Sequence, residues 1–112
     1  MSAMPRDGAP TRDQRRLIET CLDLGVAVWW QGRGTLLISR VGAVSVIDAV
    51  EAAGDRVIGL EGFELDSTAI HPRLDLIYDA GIAHRGGAAA VADGWGNEIW
   101  IDMTLGARRP EG

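Results

Sequence analysis

The sequence predicts a single α+β domain with a mostly antiparallel sheet of about five strands, two longer helices and one short helix. Three observations lead to this fold class. The chain has 112 residues, 46 % of them apolar, a size that supports one hydrophobic core. Two segments show helical periodicity with capping signals, and β-branched or alternating segments bounded by glycine-rich turns fill most of the remainder. We place the domain at 11–105, between a flexible N-terminal tail at 1–10 and a C-terminal tail at 106–112.

The first helix is predicted over 11–24. Its start has the form of a capping box, in which Thr11 is the N-cap and the side chain of Gln14 reaches back. Apolar residues follow at helical spacing, and Gly25 can adopt the left-handed conformation that ends a helix. Cys21 lies on the apolar stripe, so we expect a buried, unreactive thiol. It is the only cysteine, which excludes an internal disulfide and a cysteine-based zinc site.

A hairpin and the second helix should follow. Residues 26–31 and 35–40 are rich in β-prone residues, and a tight turn at 32–34 can join them as antiparallel strands. Residues 41–53 have helical length, and Gly54 ends the segment. Because apolar residues nearly surround this second helix, we expect most of it to be buried.

The third strand is predicted over 56–65. Gly59 and Gly62 lie within it and indicate a bulge or a close approach of another backbone. Asp66 and Ser67 then turn the chain.

The short helix is predicted over 72–79. Pro72 suits the first position of a helix, and Gly81 can end it. In that helix, three apolar side chains would face inward. They are Leu74, Ile77 and Tyr78.

The last strand has the clearest pattern. After strand candidates at 82–85 and 88–91 and a turn at 93–96, residues 97–105 alternate between apolar and mostly polar side chains. The apolar set is Ile99, Ile101, Met103 and Leu105, and the other set is Glu98, Trp100, Asp102 and Thr104.

Negative charge is concentrated in the middle of the chain. Segment 48–79 holds eight carboxylates and two arginines, a net charge of −6 (2 − 8), whereas the whole chain carries −5. Carboxylates at this density repel one another, and a cationic partner is a common reason for retaining them. The carboxylates are Asp48, Glu51, Asp55, Glu61, Glu64, Asp66, Asp75 and Asp79.

The net charge and the hydropathy exclude two classes of partner. A net charge of −5 argues against non-specific nucleic-acid binding and against docking on anionic membranes, because both require positive charge. No apolar run approaches the ~20 residues of a membrane helix, and the N-terminus lacks a secretory hydrophobic region. We therefore expect a cytoplasmic protein.

The acidic group that follows the third strand is a candidate docking surface for a basic partner. Its members lie on consecutive elements, which are usually adjacent in space. The alternative is an ordinary solvated face. The group consists of Glu61, Glu64, Asp66, Asp75 and Asp79.

Catalytic and metal-binding patterns are not found. Glu61 and Glu64 have odd spacing and would face opposite sides of a strand, which suits neither glycoside hydrolysis nor a calcium site. The two histidines, His71 and His84, do not fall into a recognised ligand spacing. We expect no enzymatic activity, no cofactor and no metal.

The tryptophans are the second group of candidates. Trp100 lies on the polar side of its strand between two carboxylates, which is the composition of an interface anchor. Alternatively, a helix covers that side and Trp100 belongs to the core. Trp29 and Trp30 are neighbours on one strand, so their rings should point to opposite faces. Trp95, in a turn, is either a contact residue or a plug for the open end of the sheet.

In size, acidity and alternation of helices and hairpins, the chain resembles the small acidic immunity proteins of bacterial contact-dependent and other polymorphic toxin systems. The run RVIGLEGFELD at 56–66, which leads into PRLD at 72–75, carries the resemblance, and it extends over roughly 40–105. The resemblance implies a cytoplasmic inhibitor that binds a cognate toxin domain, often a basic nuclease, and blocks its active site. The partner-binding residues would be Glu61, Glu64, Asp66, Asp75, Asp79, Glu98, Trp100 and Asp102.

Two alternatives stay open. One is a small-molecule-binding or enzymatic α+β domain, acting as a homodimer, with a pocket lined by Trp29 or Trp30 and a converging histidine and carboxylate. The other is a homo-oligomer in which the strand at 97–105 pairs with its own copy.

Overall fold

Five strands and three helices alternate along the chain in the computed structural model, which describes residues 9–30, 34–81 and 87–106. The predicted tails fall largely outside these ranges. In chain order the elements are α1 (Arg12–Leu24), β1 (Val28–Trp30), β2 (Leu36–Ser39), α2 (Arg40–Ala52), β3 (Arg56–Leu65), β4 (Ile70–Asp79), α3 (Gly87–Asp93) and β5 (Trp100–Gly106).

The strands form one antiparallel sheet in the order β1-β2-β5-β3-β4. This architecture confirms the α+β class with a five-stranded sheet. The C-terminal strand β5 enters the middle of the sheet, where β2 pairs with one of its edges and β3 with the other. β5 is therefore a central strand, paired with β3 along its length and with β2 at Trp100 and Ile101, and not the exposed strand that the homo-oligomer alternative assumed.

All three helices pack on one face of the sheet. Their buried side chains form a single core with Ile38, Leu60, Ile101 and other strand residues of that face. The helix residues in this core are Leu17 and Cys21 of α1, Ala43, Val46, Ile47 and Val50 of α2, and Ala88 and Ala92 of α3.

The predicted caps of α1 are confirmed. The hydroxyl of Thr11 accepts a hydrogen bond from the backbone N–H of Gln14 at 3.1 Å, and Oε1 of Gln14 accepts one from the N–H of Thr11 at 2.9 Å. Gly25 ends the helix with φ of 72°. The buried thiol is also confirmed, since Cys21 is 0 % exposed and burial raises its pKa to about 11.

The predicted short helix at 72–79 is wrong, because this segment lies in β4. The turn at Asp66 is confirmed, and it brings the following residues back along β3, so that Phe63 opposes Pro72. Leu74 and Ile77 are 80 % and 46 % exposed instead of facing inward. Pro72 misled the prediction because proline suits an outermost strand as well as the first turn of a helix.

The short helix is α3, where residues 88–91 had the pattern of a weak strand. That strand prediction is wrong. Three consecutive alanines favour a helix, and Ala88 and Ala92 lie one turn apart on its buried side. The other strand candidate, 82–85, lies outside the described residues.

Two further predictions concern strand geometry. Register shifts occur between Val57 and Gly59 and between Glu61 and Gly62, which confirms the bulges expected at the glycines. The alternation of the last strand is also confirmed, although β5 begins at Trp100 and not at residue 97. Its buried residues are Ile101, Met103 and Leu105.

Candidate partner-binding face

The sheet has a second face that carries aromatic and acidic side chains. Directly opposed residues of an antiparallel pair point to the same face, and Trp100 opposes Ser39 on one side and Phe63 on the other. Leu37 lies two residues before Ser39 on the same face and opposes Trp29. We name this surface the helix-free face and define it by Trp29, Leu37, Glu61, Phe63, Trp100 and Asp102. In the part of the chain that the structure describes, the helices pack on the other face.

The aromatic residues of this face are partly exposed. Trp29, Phe63 and Trp100 all have intermediate burial, and none of them belongs to the helix-side core. Leu37 also lies outside that core, although it is 0 % exposed. Trp30, by contrast, packs against the helix-side core, which confirms that the two adjacent indoles point to opposite faces. The interpretation of Trp100 as a core residue under a helix is wrong.

The start of β5 is positioned by α2. The guanidinium of Arg40 donates a hydrogen bond to Oδ1 of Asn97 and lies 3.7 Å from a carboxylate oxygen of Asp93. The backbone N–H of Arg40 donates to the carbonyl oxygen of Ile99 at 3.0 Å. These bonds fix the turn before β5, and the alternation of the strand then directs Trp100 away from the helices.

Two carboxylates lie beside the aromatic pair. Asp102 opposes Glu61 on the same two strands and the same face as Trp100 and Phe63. Burial raises the pKa of Asp102, and the nearby carboxylate of Glu61 raises it further. Among the described residues, neither carboxylate has a cation within 4 Å. Asp102 is therefore partly desolvated and is repelled by the exposed carboxylate of Glu61.

Two of the predicted binding residues, Glu64 and Asp75, share one guanidinium elsewhere on the sheet. Nη1 of Arg73 lies 2.6 Å from a carboxylate oxygen of Glu64, and Nε and Nη2 donate to the two oxygens of Asp75 at 3.0 and 2.8 Å. The Asp75 and Glu64 carboxylates raise the pKa of Arg73, and that guanidinium lowers the pKa of Asp75. Arg73 opposes Gly62, so this cluster lies on the side opposite to Glu61.

A third predicted binding residue, Asp66, organises the β3–β4 turn. Its Oδ1 accepts hydrogen bonds at 2.8 Å from the backbone N–H of Thr68, the Thr68 hydroxyl and the backbone N–H of Ala69. Its Oδ2 lies 2.7 Å from Nε2 of His71. These hydrogen bonds, the one from the Thr68 backbone first, lower the pKa of Asp66. Both of its oxygens thus have structural partners.

The last two predicted acids are Asp79, at the end of the outermost strand, and Glu98. Asp79 opposes Gly59 and so lies on the same face as Glu61, and it accepts a hydrogen bond from the N–H of Gly81 at 2.8 Å. Glu98 is exposed in the turn before β5. Of the eight predicted residues, the structure therefore brings together Glu61, Trp100 and Asp102, with Asp79 on the same face diagonal to Glu61, and places the other four elsewhere.

The sequence analysis missed a cavity at the end of the β3–β4 hairpin. It has a volume of about 290 Å³, with Trp29 on one side and the hairpin residues 65–70 on the other. It also missed Phe63 as a member of the helix-free face. The signal was available, since Phe63 lies two residues after Glu61 and so shares its face of an extended strand.

The part of the chain that the structure describes, residues 9–30, 34–81 and 87–106, contains neither a metal-ligand cluster nor a membrane-spanning helix. In those ranges, no three side chains of His, Cys, Asp or Glu come together in a way that could hold a metal ion, and His84 lies outside them. No described helix is both long enough and apolar enough to cross a bilayer.

No protein-family model, curated protein or solved structure matches this chain.

Replacing Asp102 with asparagine should raise the free energy of unfolding at pH 7 by about 0.2–1 kcal/mol, the scale of a cross-strand pair. Because the folded-state pKa of Asp102 is raised, its stabilising contribution is present below the unfolded pKa and is lost as the pH rises through the folded pKa. The advantage of Asp102→Asn should therefore disappear as the pH falls below about 4. Urea denaturation between pH 3 and pH 8 measures this effect.

The control for removing one negative charge is Asp48→Asn, at an exposed position of α2. This variant should change stability by less than about 0.5 kcal/mol. A constant difference between Asp102→Asn and the wild type across the pH range would contradict the explanation by burial and repulsion.

Proposed function

We propose that this protein is an immunity protein, which binds a cognate toxin domain of basic, nuclease type through the helix-free face and blocks it. One observation carries the proposal: the described helices leave uncovered a sheet face on which partly exposed aromatics adjoin two carboxylates, and neither carboxylate has a cation within 4 Å among the described residues. The proposal needs no catalytic group, cofactor or metal.

Each component of the face suits one part of binding. Large aromatic residues concentrate binding free energy at the centre of interfaces, and Trp100 and Trp29 lie on strands of the sheet. Carboxylates steer association with a cationic partner and raise the association rate, more strongly at low salt. The toxin domains implied by the resemblance are often basic, so the charges of the two partners would be complementary.

The energetics of Asp102 favour a binding role over a merely solvated surface. Its ionised form is disfavoured in the free protein by burial and by Glu61. Residues that reduce stability are commonly retained where function requires them. A cationic group of the partner would relieve the repulsion on binding.

The test is co-expression of the protein with the products of neighbouring reading frames. We expect one product to inhibit bacterial growth, the protein to restore growth, and the two chains to co-purify. Trp100→Ala should weaken the complex at least about thirtyfold, which corresponds to about 2 kcal/mol. Calorimetry on the purified pair measures the loss.

The matched control is Leu22→Ala, which truncates an apolar residue that is 70 % exposed on α1. It should leave the affinity within about twofold of the wild type. The proposal fails if no neighbouring product is neutralised, or if Trp100→Ala binds as tightly as the wild type.

One observation favours small-molecule binding as a second candidate function. The cavity between Trp29 and the hairpin has Asp66 in its lining, and His71 lies against that carboxylate. At about 290 Å³, however, the cavity is at the lower limit of ligand sites. Because both oxygens of Asp66 already have hydrogen-bond partners in the turn, we place this candidate second.

A further inference from the structure

We infer that the partner inserts one arginine side chain into the helix-free face, where its guanidinium binds Glu61 and Asp102 and stacks beside Trp100. This inference rests on the proposed function, since it names the group that the toxin domain presents to this face. Four residues of β3 and β5 support this inference. Phe63 opposes Trp100, and two residues along each strand Glu61 opposes Asp102.

The spacing along β3 and β5 places the aromatic and acidic side chains next to each other. Trp100 and Asp102 are two residues apart on one strand, and so are Phe63 and Glu61 on the next. Side chains two residues apart on a strand share a face at roughly 6.5 Å. An aromatic surface therefore lies directly beside two carboxylates, within the reach of one long side chain.

The negative charge of Glu61 and Asp102 is not balanced by a described residue. Glu61 and Asp102 are opposed acids, and neither makes an ion pair within the described ranges. On β3, the arginine in register with this face is Arg56, opposite Gly106. It lies five positions from Glu61, or roughly 16 Å along an extended strand. Within the described part of the chain, these two acids are thus not paired with a cation and would accept one from a partner.

The chemistry of the site favours a guanidinium over an ammonium group. A guanidinium is planar, donates parallel hydrogen bonds to carboxylates and stacks on aromatic rings, whereas an ammonium is a compact and strongly hydrated charge. A site with two carboxylates beside an indole matches the guanidinium in both respects. The occupant is therefore arginine in preference to lysine.

The inference can be tested without the toxin. The probes are the Nα-acetyl methylamides of arginine, lysine and citrulline, and the readout is the NMR spectrum of the ¹⁵N-labelled protein. We expect the arginine probe to shift the Trp100 indole signal and the Glu61 and Asp102 amides saturably at millimolar concentrations. Lysine should bind at least about threefold more weakly, and neutral citrulline should leave these signals unchanged.

Variants add a second measurement. The double variant Glu61→Gln/Asp102→Asn should weaken arginine binding at least about tenfold, because the charge-assisted hydrogen bonds are lost. Asp48→Asn removes a charge from the helix layer and should bind the arginine probe like the wild type. The inference is overturned if the arginine probe does not shift these signals, or if citrulline shifts them equally in the wild-type protein.

The outcome can be separated from that of the proposed function. Arginine binding is measured on the isolated chain, so it can succeed even when no toxin is found. Conversely, a toxin complex that is lost in Trp100→Ala but kept within about twofold in Glu61→Gln/Asp102→Asn would refute the arginine anchor and support the inhibitor.

Discussion

Replacing Ile101 with alanine is expected to lower the free energy of unfolding by about 2–5 kcal/mol, the range for truncating a large buried aliphatic residue. Ile101 is 0 % exposed and lies on the central strand, opposite Ile38 on β2 and Gly62 on β3. The cavity left behind would be enclosed by two neighbouring strands and the helix layer, which limits relaxation. Urea denaturation monitored by circular dichroism gives the change.

The control is Ile77→Ala on the outermost strand, where the isoleucine is 46 % exposed. The free energy of unfolding of this variant should fall by less than about 1 kcal/mol, because the side chain of Ile77 buries less apolar surface than that of Ile101. Equal losses at the two positions would contradict the assignment of Ile101 to the core. Since Trp100 and Ile101 are adjacent but point to opposite faces, Ile101→Ala should affect stability, whereas Trp100→Ala should chiefly affect binding.

Replacing Gly62 with alanine is expected to lower the free energy of unfolding by about 1–3 kcal/mol, as for other overpacked sites. A methyl group at this position would lie 2.8 Å from Cβ of Leu76, 3.0 Å from its Cδ1 and 3.3 Å from Cγ2 of Ile99. Cβ of Leu76 is fixed to the backbone of β4, so a rotamer change of Leu76 cannot remove the first contact. Thermal denaturation should show a fall of several degrees in Tm.

Gly59→Ala is the matched control, three residues earlier on the same strand. The new methyl group would lie 3.5 Å from Cβ of Thr104, an ordinary contact. This variant should change stability by less than about 0.5 kcal/mol. If both alanine variants behaved alike, the close approach of Leu76 to Gly62 would not explain the effect. Gly62 lies between Glu61 and Phe63, so a shift of this backbone should also displace the helix-free face.

At the candidate site, the sequence predicted which face of β5 each residue occupies but not which acids lie together. Alternation along β5 correctly separated Trp100 and Asp102 from the buried Ile101. It could not reveal that Glu61 opposes Asp102, because that pairing depends on strand order. Nor could it reveal that Glu64 and Asp75 both pair with Arg73. Charge counted along a sequence therefore overestimated the free acidic surface.

The same distinction between local and long-range interactions separates the elements that were predicted correctly from those that were not. The helix α1 and its caps were predicted to within one residue. Each capping residue lies within four positions of the residue to which it is hydrogen-bonded, so a local sequence pattern is enough to predict the cap. The segment 72–79 was assigned to the wrong structure, because its apolar and charged residues fit a helix as well as the strand β4. Pairing with β3 decided between them.

By itself, the sequence determined the fold class, the helices α1 and α2, the third strand and the alternation of the last, because these features depend on local capping and on periodicity. The tertiary structure alone decided the central position of β5, the strand at 72–79 and the helix at Gly87–Asp93. It also decided which acids are free. The physical reason is that strand pairing and ion pairing join residues distant in sequence, and a local pattern does not specify which partners will meet.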